Sequence, residues 1–130
     1  MTPRETVLRF WQMMSTNDWE AAAAFLAEEY VCDWPQSGER IVGRANFIAI
    51  QANYPANGPW RFTIRHVSGG AHHASTDVHV TDGTIEATAL TFSTVENGLI
   101  TRQTEYWPDP MPRPAWRAEW ITDIPRPDAP

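Results

Sequence analysis

The stretch TVENGLITRQTEYW, residues 94–107, decides the fold. Asn97-Gly98 is a strong hairpin pair, because both central residues of a type I′ turn need positive φ. β-Branched residues flank it on both sides, so the segment reads as two antiparallel strands joined by a tight turn. Working back along the chain, Asp82-Gly83 reads as a second hairpin pair and Ser68-Gly69-Gly70 as a third break. The strands set off by these turns are expected over 60–67, 72–80, 84–95 and 99–107, an antiparallel meander.

Upstream the pattern changes from alternation to helical spacing. Thr2 and Glu5 have capping-box spacing, with Pro3 at the first helical position, where its missing N–H costs nothing. Val7, Phe10, Trp11 and Met14 follow as one apolar stripe. Asn17 and Glu20 repeat the capping-box spacing and predict a second helix over 18–28. A β-rich run from Tyr30 to Trp34 stops at Pro35, which cannot donate within a sheet. Ser37-Gly38 turns the chain into a short return strand over 40–42. Gly43 precedes a third helix over 45–52, with Ala45, Ile48 and Ala49 on one side. Helices first and strands after them define an α+β domain.

The 130 residues suit a single domain, 1–130, able to bury roughly two-thirds of its unfolded surface. Residues 111–130 form a proline-rich tail or flap, with one helical candidate over 115–121 and a frayed end. The net charge is −6 and the ten basic residues are all arginine, scattered rather than clustered, which argues against nucleic acid as a partner. The lone Cys32 excludes an intramolecular disulfide and a multi-cysteine zinc site. No apolar run approaches the roughly 20 residues of a membrane span, and the start is unlike a signal peptide, so a cytoplasmic protein is expected. Phosphate loops and the Gly-x-Ser-x-Gly elbow are missing too, so no cofactor is expected.

Two passages carry a resemblance. Trp34-Pro35-Gln36-Ser37-Gly38-Glu39-Arg40-Ile41-Val42-Gly43-Arg44 resembles the passage from first strand to third helix in the SnoaL-like proteins of the NTF2-like superfamily. Asn97-Gly98-Leu99-Ile100, running on to Glu105-Tyr106-Trp107-Pro108-Asp109, is similar to that group's final strand. The resemblance covers about residues 3–110. It implies an NTF2-like cone: three N-terminal helices packed against a curved, mostly antiparallel sheet that encloses a pocket. It also implies a homodimer formed through the outer sheet face. Members include ketosteroid isomerases, polyketide cyclases, dehydratases, limonene-epoxide hydrolases and non-catalytic binding modules, so fold alone does not choose a function.

Strand alternation selects the candidate site residues. On the last strand Leu99, Thr101, Gln103, Glu105 and Trp107 share one face, and Ile100, Arg102, Thr104 and Tyr106 the other. The resemblance to epoxide-hydrolase-like members puts Glu105 at the position of an inward-facing catalytic carboxylate, where an apolar cavity would raise its pKa. Otherwise it is a glutamate paired with an arginine or exposed on the sheet. His73, Ser75, Asp77 and His79 share a face of their strand. Pointing inward they would join Glu105 in an acid–imidazole cluster; pointing outward they are the solvent face of the sheet. Asp77 loosely matches a second family carboxylate, but Ser75 stands where that family has arginine. Cys32 and Trp34 stand where it has the tyrosine and asparagine that hold water. Asp33 lies roughly where isomerase-like members place a proton-shuttling base, and alternation sets it opposite Cys32 and Trp34. Its bland alternative is a strand-end aspartate bonded to backbone. A metal at His73, Asp77 and His79 is disfavoured for want of ligand motifs. Trp34, Gln103, Trp107, Tyr106 and Trp116 are the candidate ligand contacts, with Trp116 and Trp120 on a flap or at a dimer contact. The expected partner is a small apolar or partly oxygenated molecule. The expected chemistry, where there is any, is cofactor-independent isomerisation, cyclisation, dehydration or hydrolysis; the alternative is a non-catalytic ligand-binding or dimeric interaction module.

Overall fold

Thr2 caps helix α1 (Pro3–Met14) as its spacing predicts, its hydroxyl accepting the Glu5 N–H. A computed structural model describes residues 1–125, and the end expected to fray, 126–130, lies outside the described residues. The stripe of Val7, Phe10, Trp11 and Met14 is buried along its length. The second helix is much shorter than expected. Asp18, not Asn17, caps α2 (Trp19–Ala23), and by Leu26 the chain has already entered β1 (Leu26–Trp34). Asn17 instead takes a left-handed φ of 60° in the connecting turn. Alanine-rich sequence favours helix locally, but Leu26 and Tyr30 gain full burial as strand residues, and tertiary packing overrides propensity.

β2 (Glu39–Val42) returns along β1, and α3 (Arg44–Asn53) follows. The third helix buries Phe47; of the expected side only Ile48 packs against the core, since Ala45 and Ala49 are exposed. Strands β3 (Arg61–Gly69), β4 (His73–Thr81), β5 (Glu86–Glu96) and β6 (Leu99–Tyr106) form the expected meander. Asn97 and Gly98 both have positive φ, 52° and 77°, as a type I′ turn requires. The Asp82-Gly83 turn is built differently. Only Gly83 has positive φ there, and the Asp82 carboxylate accepts the N–H groups of Thr84, Ile85 and Asn57. That is an Asx-type turn tied to the loop after α3.

The strand order is β2-β1-β6-β5-β4-β3, antiparallel throughout except for the parallel β1–β6 pair. The meander starts at the far edge and walks back, so its last strand lands beside the first. This topology brings residues about 70 apart in sequence into adjacent rows: Cys32 pairs with Gln103 and Asp33 with Thr104. Helix α1 lies against β3, β4, β5 and β6, and the core fills the layer between helices and sheet. The tail forms a 3₁₀ helix (Ala115–Trp120) with no buried residue, stiffened by an ion pair between Arg113 and Asp123. Among the described residues, no helix is long and apolar enough to cross a membrane.

Candidate functional site

β6 carries a bulge that the simple alternation misses. Val95 pairs with Ile100 but Thr94 pairs with Arg102, which leaves Thr101 as the extra residue. Before the bulge Ile100 faces inward; after it Gln103 and Glu105 do, and Leu99 is partly exposed rather than sharing their face. The inward expectation thus holds for Gln103 and Glu105 and fails for Leu99 and Thr101.

Glu105 is buried, at 8% exposure, and both carboxyl oxygens have neutral donors. Trp34 Nε1–H donates to Oε1 at 3.0 Å and the Thr91 hydroxyl donates to Oε2 at 2.6 Å. Burial pushes the Glu105 pKa up, and the bonds from Thr91, Trp34 and Trp107 pull back only in part. Its ionisable neighbours on β1 carry no charge: burial pushes the Cys32 thiol up to about 12 and raises the Tyr30 phenol. Among the described residues, neither an arginine nor a histidine lines this part of the interior.

Below Glu105 runs a buried polar chain. Tyr30 Oη–H donates to Gln103 Oε1 at 2.6 Å, and Gln103 Nε2–H donates to Ser93 Oγ at 3.2 Å. Tyr30 and Gln103 are 0% and 2% exposed, so Gln103 Oε1 has no water to fall back on. Tyr30→Phe is therefore expected to destabilise the fold by about 1–3 kcal/mol, the cost of an orphaned buried acceptor. Urea denaturation checks it, and a loss below about 0.3 kcal/mol would mean the chain carries no such weight.

The space in front of Glu105 has two parts. An inner chamber of about 40 Å³ lies between Glu105, Cys32 and the α1 residues Phe10, Trp11 and Met14. An outer chamber of about 140 Å³ is walled by Trp34, Tyr54, Trp60, Phe62 and Trp107. Trp34, Gln51, Phe62 and Trp107 border both, so the two parts adjoin. Side-chain amides fix two of the walls. Asn17 accepts the Trp60 N–H at 2.9 Å and donates to the Trp60 carbonyl at 2.8 Å. Gln36 does the same for Trp107, accepting its N–H and donating to its carbonyl at 3.0 Å. Such two-point clamps preorganise the walls.

The other predicted residues lie elsewhere. On β4, Ala74, Thr76, Val78 and Val80 are buried inward, so His73, Asp77 and His79 point to the outer face. The acid–imidazole cluster with Glu105 does not form, because strand alternation spends the apolar side on the core. Asp77 is held by Arg65 at 2.9 Å and His66 at 3.0 Å, and His79 lies 3.8 Å from Glu86. Burial works to raise the Asp77 pKa, but the bonds from His66 and Arg65 outweigh it and hold the carboxyl below its ordinary value. Asp33 is also on the outer face, opposite Cys32 and Trp34 as alternation requires. Arg40 at 2.6 Å, joined by Arg102 at 3.0 Å, holds its carboxyl low and ionised. Tyr106 stacks edge-on against Phe92 on that outer face rather than lining the interior. Trp116 is 73% exposed on the tail, beneath the Arg117 guanidinium, and covers no chamber. Among the described residues no group of three or more His, Cys, Asp or Glu is placed to hold a metal.

A sheet wrapped over N-terminal helices is the architecture of the NTF2-like cones. The chain belongs to the SnoaL-like domain family, whose pattern it matches over residues 7–103. A solved structure of a candidate ketosteroid isomerase from Kribbella flavida DSM 17836 superposes with a TM-score of 0.87 at 28% identity, covering 97% of this chain and 92% of that one. An NTF2-like protein of unknown function from Burkholderia xenovorans LB400 gives 0.77 at 30% identity, covering 94% of each chain. An LEH-like epoxide hydrolase from M. tuberculosis gives 0.67 at 15% identity, covering 82% of each, a likeness of fold alone. No curated protein matches the chain.

Proposed function

We propose that this protein binds a small, largely apolar molecule in the cleft and moves a proton on it with Glu105. The observation that carries this reading is the state of Glu105: buried, held by neutral donors, and shifted toward a protonated form at the end of an aromatic cleft. A carboxyl raised in this way is suited to act as general acid or base near neutral pH. Isomerisation, cyclisation, dehydration or hydrolysis without a cofactor are the reaction types such a group serves. Asp33 and Asp77 are locked in outer ion pairs and have no part in it. In this reading Trp34 and Trp107, which border both chambers, contact the ligand, and Gln103, which borders the inner one, has a positioning role. The chambers are smaller than the roughly 300–1,000 Å³ of typical ligand sites, which favours a compact molecule over a steroid.

Ligand carriage without turnover has support of its own, since Trp34 and Thr91 already occupy both Glu105 oxygens. A homodimer through the outer sheet face belongs to either reading, with exposed Phe92 and Tyr106 as its apolar centre. One thermal-shift screen with compact apolar metabolites, wild type beside Glu105→Gln, tests the proposal. A ligand at about 100 times its Kd should stabilise by about 2.7 kcal/mol, several degrees for a domain of this size. The enzyme reading expects the variant to keep binding and lose turnover of the hit. Unchanged turnover would leave carriage, and the absence of any hit would remove the ligand site.

A further inference from the structure

Charge and aromatic placement say more about the ligand. We infer that the cleft takes a small alkylammonium, an amine carrying its positive charge on a methylated or otherwise compact nitrogen. This rests on the reading of the cleft as a ligand site and narrows the class of molecule that fits it.

Three observations converge. Trp34, Tyr54, Trp60 and Trp107 surround the outer chamber, with Tyr54 and Trp60 edge to face at 5.8 Å. Ring faces attract cations, and cages of this composition are the common solution for quaternary ammonium groups. The charges on the route inward are all of one sign. The groove outside the cage carries Glu39 and Asp109, Glu105 stands behind it, and among the described residues no arginine or histidine lines the groove or either chamber. A phosphate, sulfate or carboxylate would find no cationic partner there, and desolvating it would go uncompensated. Finally, the Trp34 indole N–H is bonded to the Glu105 carboxyl. When Glu105 is ionised, that bond pushes electron density into the ring that forms one cage wall and strengthens its hold on a cation.

The arrangement couples binding to a proton. Burial favours the protonated, uncharged form of Glu105. A bound ammonium restores the charge balance with the carboxylate form, so one proton leaves as the cation enters. The groups facing Glu105 from β1, β5, α1 and α3 add no competing charge: Cys32 and Tyr30 are neutral, and Thr91, Trp11, Phe10 and Gln51 do not titrate. The ligand thereby leaves Glu105 as a base behind the Trp34 wall.

The test compares choline with 3,3-dimethylbutan-1-ol, its neutral isostere, by calorimetry at matched ionic strength. Choline should bind at least about tenfold more tightly, a step of about 1.4 kcal/mol. Its affinity should rise with pH until Glu105 is ionised, with release of up to one proton detected in buffers of different ionisation enthalpy. Tyr54→Ala, at an exposed position in the cage wall, should weaken choline by a larger factor than it weakens the alcohol. Equal or tighter binding of the alcohol overturns the ammonium inference and leaves the apolar ligand site standing. Binding of neither compound overturns the ammonium inference, while the ligand site itself stands or falls with the thermal-shift screen. Choline affinity that is flat with pH and unchanged in Tyr54→Ala places the cation outside the cage and also overturns the inference.

Discussion

Glu105→Gln is expected to gain stability over the wild type as the pH is raised. The sign follows from the direction of the shift. Burial raises the Glu105 pKa in the folded protein, so the native state holds its proton over a range in which the unfolded chain has lost it. Wild-type stability from this proton is complete below the ordinary glutamate range and falls as pH climbs toward the folded pKa. Above that value the native state must carry a buried charge. The slope inside the window reaches about 1.4 kcal/mol per pH unit. Glutamine does not titrate, and it can still accept one bond from Trp34 or Thr91 while Thr91 accepts from its amide. Asp33, Asp77 and Asp82 have lowered pKa values and act in the opposite sense, losing stability in acid, but they are common to both proteins and cancel in the difference. Urea denaturation of both proteins from pH 4 to 9, with about half-unit steps, should give a difference that grows in the variant's favour and then levels. A difference constant across the range would show that Glu105 titrates as an ordinary glutamate, and the case for it as the proton-transferring group would go with it.

Much of this fold can be read from turns and caps. Thr2, Pro3 and Glu5 start α1 by local chemistry, and Asn97-Gly98 makes its turn because two neighbouring residues tolerate positive φ. Those signals need no tertiary context. The second helix needed it: 18–28 is helical by composition, but Leu26 and Tyr30 are worth more to the core as strand residues. Asp82-Gly83 is the intermediate case, a correct turn whose geometry is set by a distant loop through Asn57 N–H.

The candidate site divides in the same way. Alternation put Glu105 and Gln103 on one face and set Asp33 opposite Trp34, but that the Glu105 face turns inward came from the resemblance to epoxide-hydrolase-like members. The face of β4 was not, since an alternating strand reads the same whichever side meets the core. Thr91 was hidden for a sharper reason. Unbroken pairing from the Glu96–Leu99 end of the hairpin would set Leu90 opposite Glu105. The extra residue at Thr101 shifts the register by one and brings Thr91 there instead. One bulge thus replaces an apolar neighbour with a hydroxyl that grips the carboxyl at 2.6 Å. The cage was invisible for another reason: Tyr54 and Trp60 sit in a Pro/Asn/Gly-rich loop that lacks periodicity, and the clamp from Asn17 spans 43 residues.

Trp11→Ala should be the most destabilising single change at the floor of the cleft. Trp11 is 3% exposed, packs against Phe10 and Phe62 with ring centroids 5.3 and 5.5 Å away, and donates its indole N–H to Thr76 Oγ1 at 3.2 Å. Truncation removes a large apolar surface, leaves a hole against residues held by a sheet, and deprives buried Thr76 of its partner. Aromatic-to-alanine changes of this kind cost about 3–5 kcal/mol. For a domain of this size that is a fall in melting temperature on the order of 10–20 °C. Trp11→Phe keeps most of the ring volume and loses the hydrogen bond, so it should cost about 1–2 kcal/mol and separate packing from bonding. The same truncation opens the inner chamber beneath Glu105, so Trp11→Ala should accept bulkier apolar ligands at low temperature, where it is still folded. A loss under about 1 kcal/mol would mean that α1 and α3 collapse into the hole. The inner chamber would then be set by how closely the helices settle on the sheet and not by the Trp11 side chain.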